Sequence, residues 1–248
     1  MRGYLFLIVG ALLVGTAIGT SGVPAQKTSD PGQQQKADKA DFESQFPLVD
    51  FNKPEPSDQR KRARWQAKGK KYKGIGLTVT EDSELITVNS EWDMGLPALP
   101  VAKSDLVVIG EVVDAEALLS GSKDWVYSEF TIRVDEVLKN TSNVTLTQGA
   151  SVIADRDGGG VRFPSGRVTI QYIAGQGMPR VGRRYALFLT VDDQEQGFHI
   201  LTGYELRGGR VIPVDNPAGG THPIATKYNG VDEASFLSDL RSSIANPQ

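Results

Sequence analysis

Apolar and polar residues alternate along much of the chain between about residues 75 and 214. The clearest stretch has Phe130, Ile132 and Val134 at alternate positions with polar residues between them, which is typical of a strand with one buried face. The alternation slips after Val134, because the next apolar residue is Val137, and a slip inside a long strand predicts a β-bulge. Several short strands separated by Gly-rich turns predict an all-β domain, either an antiparallel sandwich or a barrel.

Three further patterns predict elements within and around this block. Four consecutive apolar residues, Leu106 to Ile109, predict a strand that is buried on both faces. Residues 76–81 (GLTVTE) and 84–89 (ELITVN) alternate briefly and predict a short N-terminal strand pair. Residues 232–245 predict one C-terminal helix with Asp232 as its N-cap. The apolar face of that helix holds Leu237, Leu240 and Ile244.

Three of these segments together resemble a known family. They are SDLVVIGEVVDAEA (104–117), FTIRVDEVLK (130–139) and VGRRYALFL (181–189), and they resemble the netrin-module or tissue-inhibitor-of-metalloproteinase type of domain over about residues 104–205. The chain also resembles exported bacterial proteins of this build. The resemblance implies an OB-like barrel. It implies no site residue and no zinc-directed inhibition, because the inhibitors use an N-terminal cysteine and this chain has none.

The N-terminus has the three parts of an export signal. Arg2 is followed by an apolar run from Tyr4 to Ile18, and small residues close the run. This arrangement predicts a cleaved signal peptide over residues 1–25, with an uncut membrane anchor as the alternative. The chain is therefore expected to be exported, either periplasmic or secreted. Without cysteine, the folded part cannot rely on disulfides.

The charge of the chain is unevenly distributed. Residues 26–73 are predicted to be a disordered tether, because the first part of this segment is poor in apolar residues. Its basic run over residues 60–73 carries eight Lys or Arg and no acid. Residues 74–248, the predicted β-barrel domain with its helix, carry 14 basic and 23 acidic residues, a formal charge of −9. The basic run fits a solvated, partly helical linker or a patch for anionic lipid or polysaccharide.

Most catalytic and cofactor chemistries lack their residues here. A thiol nucleophile and a cysteine-bound zinc ion are excluded, and the two histidines, His199 and His222, do not form an HExxH motif. The Gly-rich loops lack the Lys and Ser or Thr of a phosphate-binding loop. The sequence therefore predicts no catalytic residue, no metal site and no cofactor, and it favours a binding module over an enzyme.

Arginine is the one residue type whose distribution suggests a ligand site. Every cationic residue from Arg156 to Arg210 is an arginine, whose planar fork suits carboxylate, sulfate or phosphate. Several of these residues flank predicted hairpins whose loops could converge on the ligand face of an OB barrel; alternatively, they pair with surface acids. The candidate ligand-binding residues are Arg156, Arg162, Arg167, Arg207 and Arg210.

The leading hypothesis is an exported, non-enzymatic binding or interaction module. Its expected partner is a protein or an anionic polymer outside the cytoplasm. Nucleic acid is not expected after export, and membrane contact is expected only if the N-terminal segment is uncleaved. The alternatives are a hydrolase of envelope polymers or peptides that uses His222, and a protease inhibitor that acts by loop insertion.

Overall fold

The structure, a computed structural model, describes residues 41–72, 78–90, 92–93, 95–192 and 197–246. The predicted signal peptide and residues 26–40 of the predicted tether lie outside these ranges. In chain order the elements are β1 (Leu48–Asp50), α1 (Gln59–Tyr72), β2 (Leu85–Val88), β3 (Leu106–Leu119), β4 (Val126–Asn140), β5 (Ser151–Asp157), β6 (Gly159–Arg162), β7 (Val168–Ile173), β8 (Arg184–Asp192), β9 (Gly197–Arg207), β10 (Arg210–Pro213), α2 (Pro223–Thr226) and α3 (Glu233–Ala245). The prediction of an all-β fold is confirmed.

The strands form two sheets. The larger sheet has the order β10-β9-β5-β4-β3-β8, and β8 also pairs with β9. The five strands β3, β4, β5, β9 and β8 therefore pair in a cycle, in which only β5 and β9 run parallel. The smaller sheet has the order β1-β6-β7-β2, and its two edge strands run parallel to their neighbours.

The two long strands β3 and β4 are bent by bulges where the alternation slips. Gly110 lies opposite Val134, whereas Ile109 lies opposite Glu136, so that one residue of β4 is left over between them. At Gly110 a side chain would collide with the partner strand, because an added Cβ would lie 2.6 Å from the carbonyl oxygen of Arg133. The bulge predicted from the spacing of Val134 and Val137 is present.

Strand β3 separates two apolar cores. Leu106 and Val108 belong to a cluster with the inward-facing residues of β4, β5, β8 and β9. Val107 and Ile109 belong to a second cluster that includes Phe236 of α3. All four β3 residues are fully buried, as the run of consecutive apolar residues predicts.

The C-terminal helix covers this second core. The Asp232 carboxylate accepts a hydrogen bond from the Ser235 N–H at 3.1 Å and caps the first turn of α3. Phe236 and Leu240 point into the cluster and are fully buried. The predicted N-cap is confirmed, whereas the predicted apolar face omitted Phe236, and Leu237 and Ile244 are only partly buried.

Near the N-terminus, strand β2 has a different partner from the expected one. It pairs in parallel with β7, with Leu85 opposite Ile170, and residues 78–80 form no strand. Residues 76 and 77 of the other predicted strand lie outside the described ranges.

The predicted tether is corrected over residues 59–72, which form helix α1. Asp58 accepts a hydrogen bond from the Lys61 N–H at 2.8 Å, and this bond satisfies a donor of the first turn. Lys70 and Lys71 lie in the last turn, where positive charge favours a helix. The like charges of the run do not force it into disorder, because acidic residues of the larger sheet neutralise three of them. No helix in the described ranges is long and apolar enough to cross a membrane.

Candidate ligand cleft and acidic row beside helix α1

A row of acidic residues crosses the larger sheet. Glu116 of β3 lies directly opposite Glu129 of β4, and Glu129 lies opposite Asp155 of β5. Asp155 in turn lies opposite His199 of β9. Directly opposite residues share one face of a sheet, and adjacent like charges destabilise it unless they are neutralised. We call Glu116, Glu129 and Asp155 the acidic row.

Helix α1 supplies the neutralising charges. Lys61, Arg64 and Lys68 are spaced by three and four residues, so they lie on one side of the helix. Lys61 pairs with Glu116, and Arg64 forms a bidentate pair with Glu129 through two hydrogen bonds of 2.9 Å. These contacts align α1 across β3, β4 and β5. Each carboxylate of the row therefore faces a cation of the helix.

The most deeply buried pair lies at the end of the row next to β9. Lys68 and Asp155 are 1% and 6% exposed, and Lys68 Nζ lies 2.9 Å from Asp155 Oδ1. His199 Nδ1 lies 2.8 Å from the same oxygen. Burial by itself would raise the pKa of Asp155, but the hydrogen bond from His199 and the charge of Lys68 outweigh it and lower that pKa. The carboxylate is thus held ionised between two donors.

A cleft of about 460 Å³ lies at the other end of the acidic row, beside Glu116, between residues 49–58, α1 and β3. Trp65 forms part of its wall and is held there by a hydrogen bond from its indole Nε1 to the Leu119 carbonyl at 2.7 Å. Gly121 leaves room for the ring, since an added Cβ would lie 3.1 Å from Trp65 Cη2. The apolar lining consists of Val49, Pro54, Pro56, Trp65, Leu118 and Leu119.

Two lysines converge on one carboxylate in the lining of the cleft. Lys53 binds Oε1 of Glu116, and Lys61 binds Oε2. Burial raises the pKa of Glu116, but the hydrogen bonds from Lys53 and Lys61 outweigh that effect and lower it. Both ammonium groups therefore already have a carboxylate partner within the chain.

The structure places one of the predicted arginines in the interior of the domain. Arg156 is fully buried, and it donates to Asp215 Oδ2 at 2.8 Å and to the Gly177 carbonyl at 2.6 Å. Its guanidinium ties β5 to the segments before β8 and after β10. This correction has a simple physical reason: the alternation marks Arg156 as polar, but its counter-ion, Asp215, lies far along the chain.

The other predicted arginines lie on two separate hairpins. Arg162 and Arg167 flank the β6–β7 turn of the smaller sheet, whereas Arg207 and Arg210 flank the β9–β10 turn of the larger sheet. Their partners differ as well. Arg162 lies 3.6 Å from Asp50, Arg207 lies 3.6 Å from Glu205, and Arg210 donates to the Gly230 carbonyl at 3.1 Å. In the described ranges these side chains share no partner.

The two histidines have structural contacts. His199 is a strand residue of β9 that supports Asp155, as described above. His222 is the N-cap of α2, where its Nδ1 accepts a hydrogen bond from the Ile224 N–H at 3.3 Å. Its Nε2 lies 4.0 Å from Asp93. Within the part of the chain that the structure describes, no cluster of His, Asp and Glu has an arrangement that could hold a metal ion.

Sequence reasoning missed both the acidic row and the cleft. The helical spacing of Lys61, Arg64 and Lys68 around Trp65 is a signal in the sequence that could have predicted the contribution of α1. The other side is hidden, because Glu116 and Asp155 are only two of many acids at polar strand positions. Strand register alone brings them together.

Comparison with protein-family models and with curated proteins finds no significant match for this chain. The resemblance to netrin-type domains therefore stays a prediction, and the geometry of the chain carries the functional argument.

Proposed function

We propose that this chain is an exported binding module built on an OB-like barrel, and that its ligand binds in the cleft beside α1. The strand pairing supports a barrel, because β3, β4, β5, β9 and β8 pair in a cycle. Four of the five pairs in this cycle are antiparallel, and the pair of β5 with β9 is parallel. Export rests on the N-terminal sequence pattern.

The observation that carries the proposal is the cleft itself. Small-molecule sites are concave, hold about 300–1,000 Å³ and have mostly apolar walls with a few polar groups. The cleft, at about 460 Å³, falls in that range, and Trp65 and Leu119 form an apolar wall. The hydrogen bond between these two residues fixes the indole ring before a ligand arrives, so little ordering is left for binding.

The cleft replaces the arginine hairpins as the proposed site. Arg156 is buried and paired, and the remaining four arginines lie on hairpins of different sheets. The hydrolase hypothesis rested on His222, whose Nδ1 caps a helix. The hydrolase and the loop-inserting protease inhibitor stay predictions.

The test uses an uncharged fluorescent probe, N-pentyl dansylamide, titrated into the full chain. Excited tryptophan transfers its energy to a nearby dansyl group. A probe that binds beside Trp65 therefore gives a sensitised dansyl emission that saturates as the site fills. Ser57, an exposed residue of the lining, is replaced by Trp to fill the cleft without disturbing the core. We expect one-site binding to the natural chain and none to Ser57→Trp.

Ser165→Trp is the matched control, because Ser165 is exposed in the β6–β7 turn and does not line the cleft. It should bind the probe as the natural chain does. Equal binding by Ser57→Trp and Ser165→Trp would overturn the cleft as the site.

A further inference from the structure

The charged groups of the cleft are not balanced. Four carboxylates line it, those of Asp50, Glu55, Asp58 and Glu116, together with the ammonium groups of Lys53 and Lys61. Four negative and two positive charges leave a formal charge of −2 around an apolar interior. The affinity of the cleft for a ligand should therefore depend strongly on the charge of that ligand.

The two ammonium groups share a single carboxylate, that of Glu116, and the three groups together keep a formal charge of +1. Each lysine contacts one oxygen of Glu116, so an anionic ligand would compete with that carboxylate for the two ammonium groups. An anion entering the cleft would also face the carboxylates of Asp50 and Glu55. Both effects oppose its binding.

The negative charges are less fully engaged. Asp58 accepts the Lys61 N–H at 2.8 Å as the N-cap of α1. Asp50 lies 3.6 Å from Arg162, and both of these side chains are more than half exposed, so the pair is weak. Glu55 is exposed and has no side-chain partner in the described part of the chain.

From this arrangement we infer that the cleft binds a small amphipathic cation. An apolar group fills the space along Trp65 and Leu119, and an ammonium or guanidinium group lies near Asp50 and Glu55. This inference rests on the proposed function and adds the chemical class of its ligand.

The experiment compares three dansyl sulfonamides that carry the same pentyl chain and differ only at its end. One ends in an ammonium group, one in a methyl group and one in a carboxylate. Each is titrated into the full chain at low ionic strength by energy transfer from tryptophan. We expect affinities in the order ammonium, methyl, carboxylate, with about a tenfold difference between the charged probes, as for partly exposed charge contacts.

Two double variants test which carboxylates cause the preference for the ammonium probe. Asp50→Asn with Glu55→Gln removes the two weakly engaged carboxylates and should bring the ammonium probe to the affinity of the methyl probe. Glu81→Gln with Asp82→Asn is the matched control, because these exposed acids lie outside the cleft, and it should keep the preference. Added salt should reduce the preference in the natural chain, since it screens exposed charges.

The outcomes separate this inference from the proposed function. If all three probes bind equally and Ser57→Trp abolishes binding, the cleft remains the site and the cationic class is wrong. Tighter binding of the carboxylate probe, or an unchanged preference in the Asp50 and Glu55 variant, also overturns the inference. If none of the probes binds, both proposals fail.

Discussion

Lys68 Nζ lies 2.9 Å from Asp155 Oδ1, and the two side chains are almost completely buried although they lie 87 residues apart in the chain. This contact joins the basic helix α1 to the acidic row of the larger sheet. A buried ion pair contributes little net stability relative to apolar residues of the same shape, but the loss of one partner leaves an uncompensated buried charge. We infer that the pair contributes more to the position at which α1 docks than to net stability.

Replacement of Lys68 by Met should be strongly destabilising. The apolar side chain fills similar space but removes the cation that faces the buried Asp155 carboxylate, and removing one member of a buried pair costs about 3 kcal/mol. Urea denaturation measures this change in the free energy of unfolding. Lys70→Met is the control: Lys70 is exposed on the same helix, and its substitution should change stability by about 0.5 kcal/mol or less.

A double variant separates the charge effect from a packing effect. Lys68→Met combined with Asp155→Leu removes both charges, so it should be more stable than Lys68→Met alone. A double variant that is no better than Lys68→Met would contradict the view that the unpaired carboxylate causes the loss.

Asp155 should make stability depend on pH in the acidic range. Its pKa is lowered in the folded state from an ordinary value of 3.8. A carboxyl with a lowered folded-state pKa stabilises the fold above its unfolded pKa, and this contribution is lost as the pH falls through the folded pKa. The natural chain should therefore lose stability as the pH falls below about 4.

Asp155→Asn tests this assignment. The variant should be less stable than the natural chain at neutral pH, and the difference between the two should shrink as the pH falls below 4. Thermal melting between pH 7 and pH 2 measures both curves. Parallel curves over that range would exclude Asp155 as a source of the acid dependence.

Two glycines at the contact of α1 with the β3–β4 turn should respond in opposite directions to alanine. A Cβ at Gly121 would lie 3.1 Å from Trp65 Cη2, so Gly121→Ala should displace the ring and cost about 1 kcal/mol through overpacking. A Cβ at Gly69, inside α1, would have an ordinary contact of 3.7 Å. Gly69→Ala should therefore stabilise the chain by about 0.5–1 kcal/mol through helix propensity.

Chemical denaturation gives the two free energies, and tryptophan emission reports on the environment of Trp65. Gly121→Ala should change that emission, whereas Gly69→Ala should leave it unchanged. Destabilisation by Gly69→Ala would mean that α1 does not tolerate a methyl group at that position of its contact with the turn.

Several elements of the fold were predictable because their signals are local. The spacing of Val134 and Val137 predicted the bulge of β4, and Leu106 to Ile109 predicted a strand buried on both faces. Asp232 predicted the start of the C-terminal helix. Each signal depends on residues within one or two turns or strand steps, where backbone geometry alone relates sequence to structure.

The candidate site was not predictable in the same way. Lys61, Arg64 and Lys68 are at helical spacing, but the basic run by itself predicts a solvated linker. The residues that neutralise its charges lie in three different strands, so no local signal shows that the helix docks. Arg156 was expected at the surface for the corresponding reason: its partner Asp215 is 59 residues away.

The amino-acid sequence alone determined the all-β class, the bulge, the doubly buried strand and the capped C-terminal helix, because alternation and capping act over short distances. Tertiary structure decided that Glu116, Glu129 and Asp155 form one row, that α1 docks on this row, and that Trp65 and Leu119 line a cleft beside it. These relationships depend on strand register and on the burial of distant charges, and many acids and bases of the chain are interchangeable until the fold selects which of them meet.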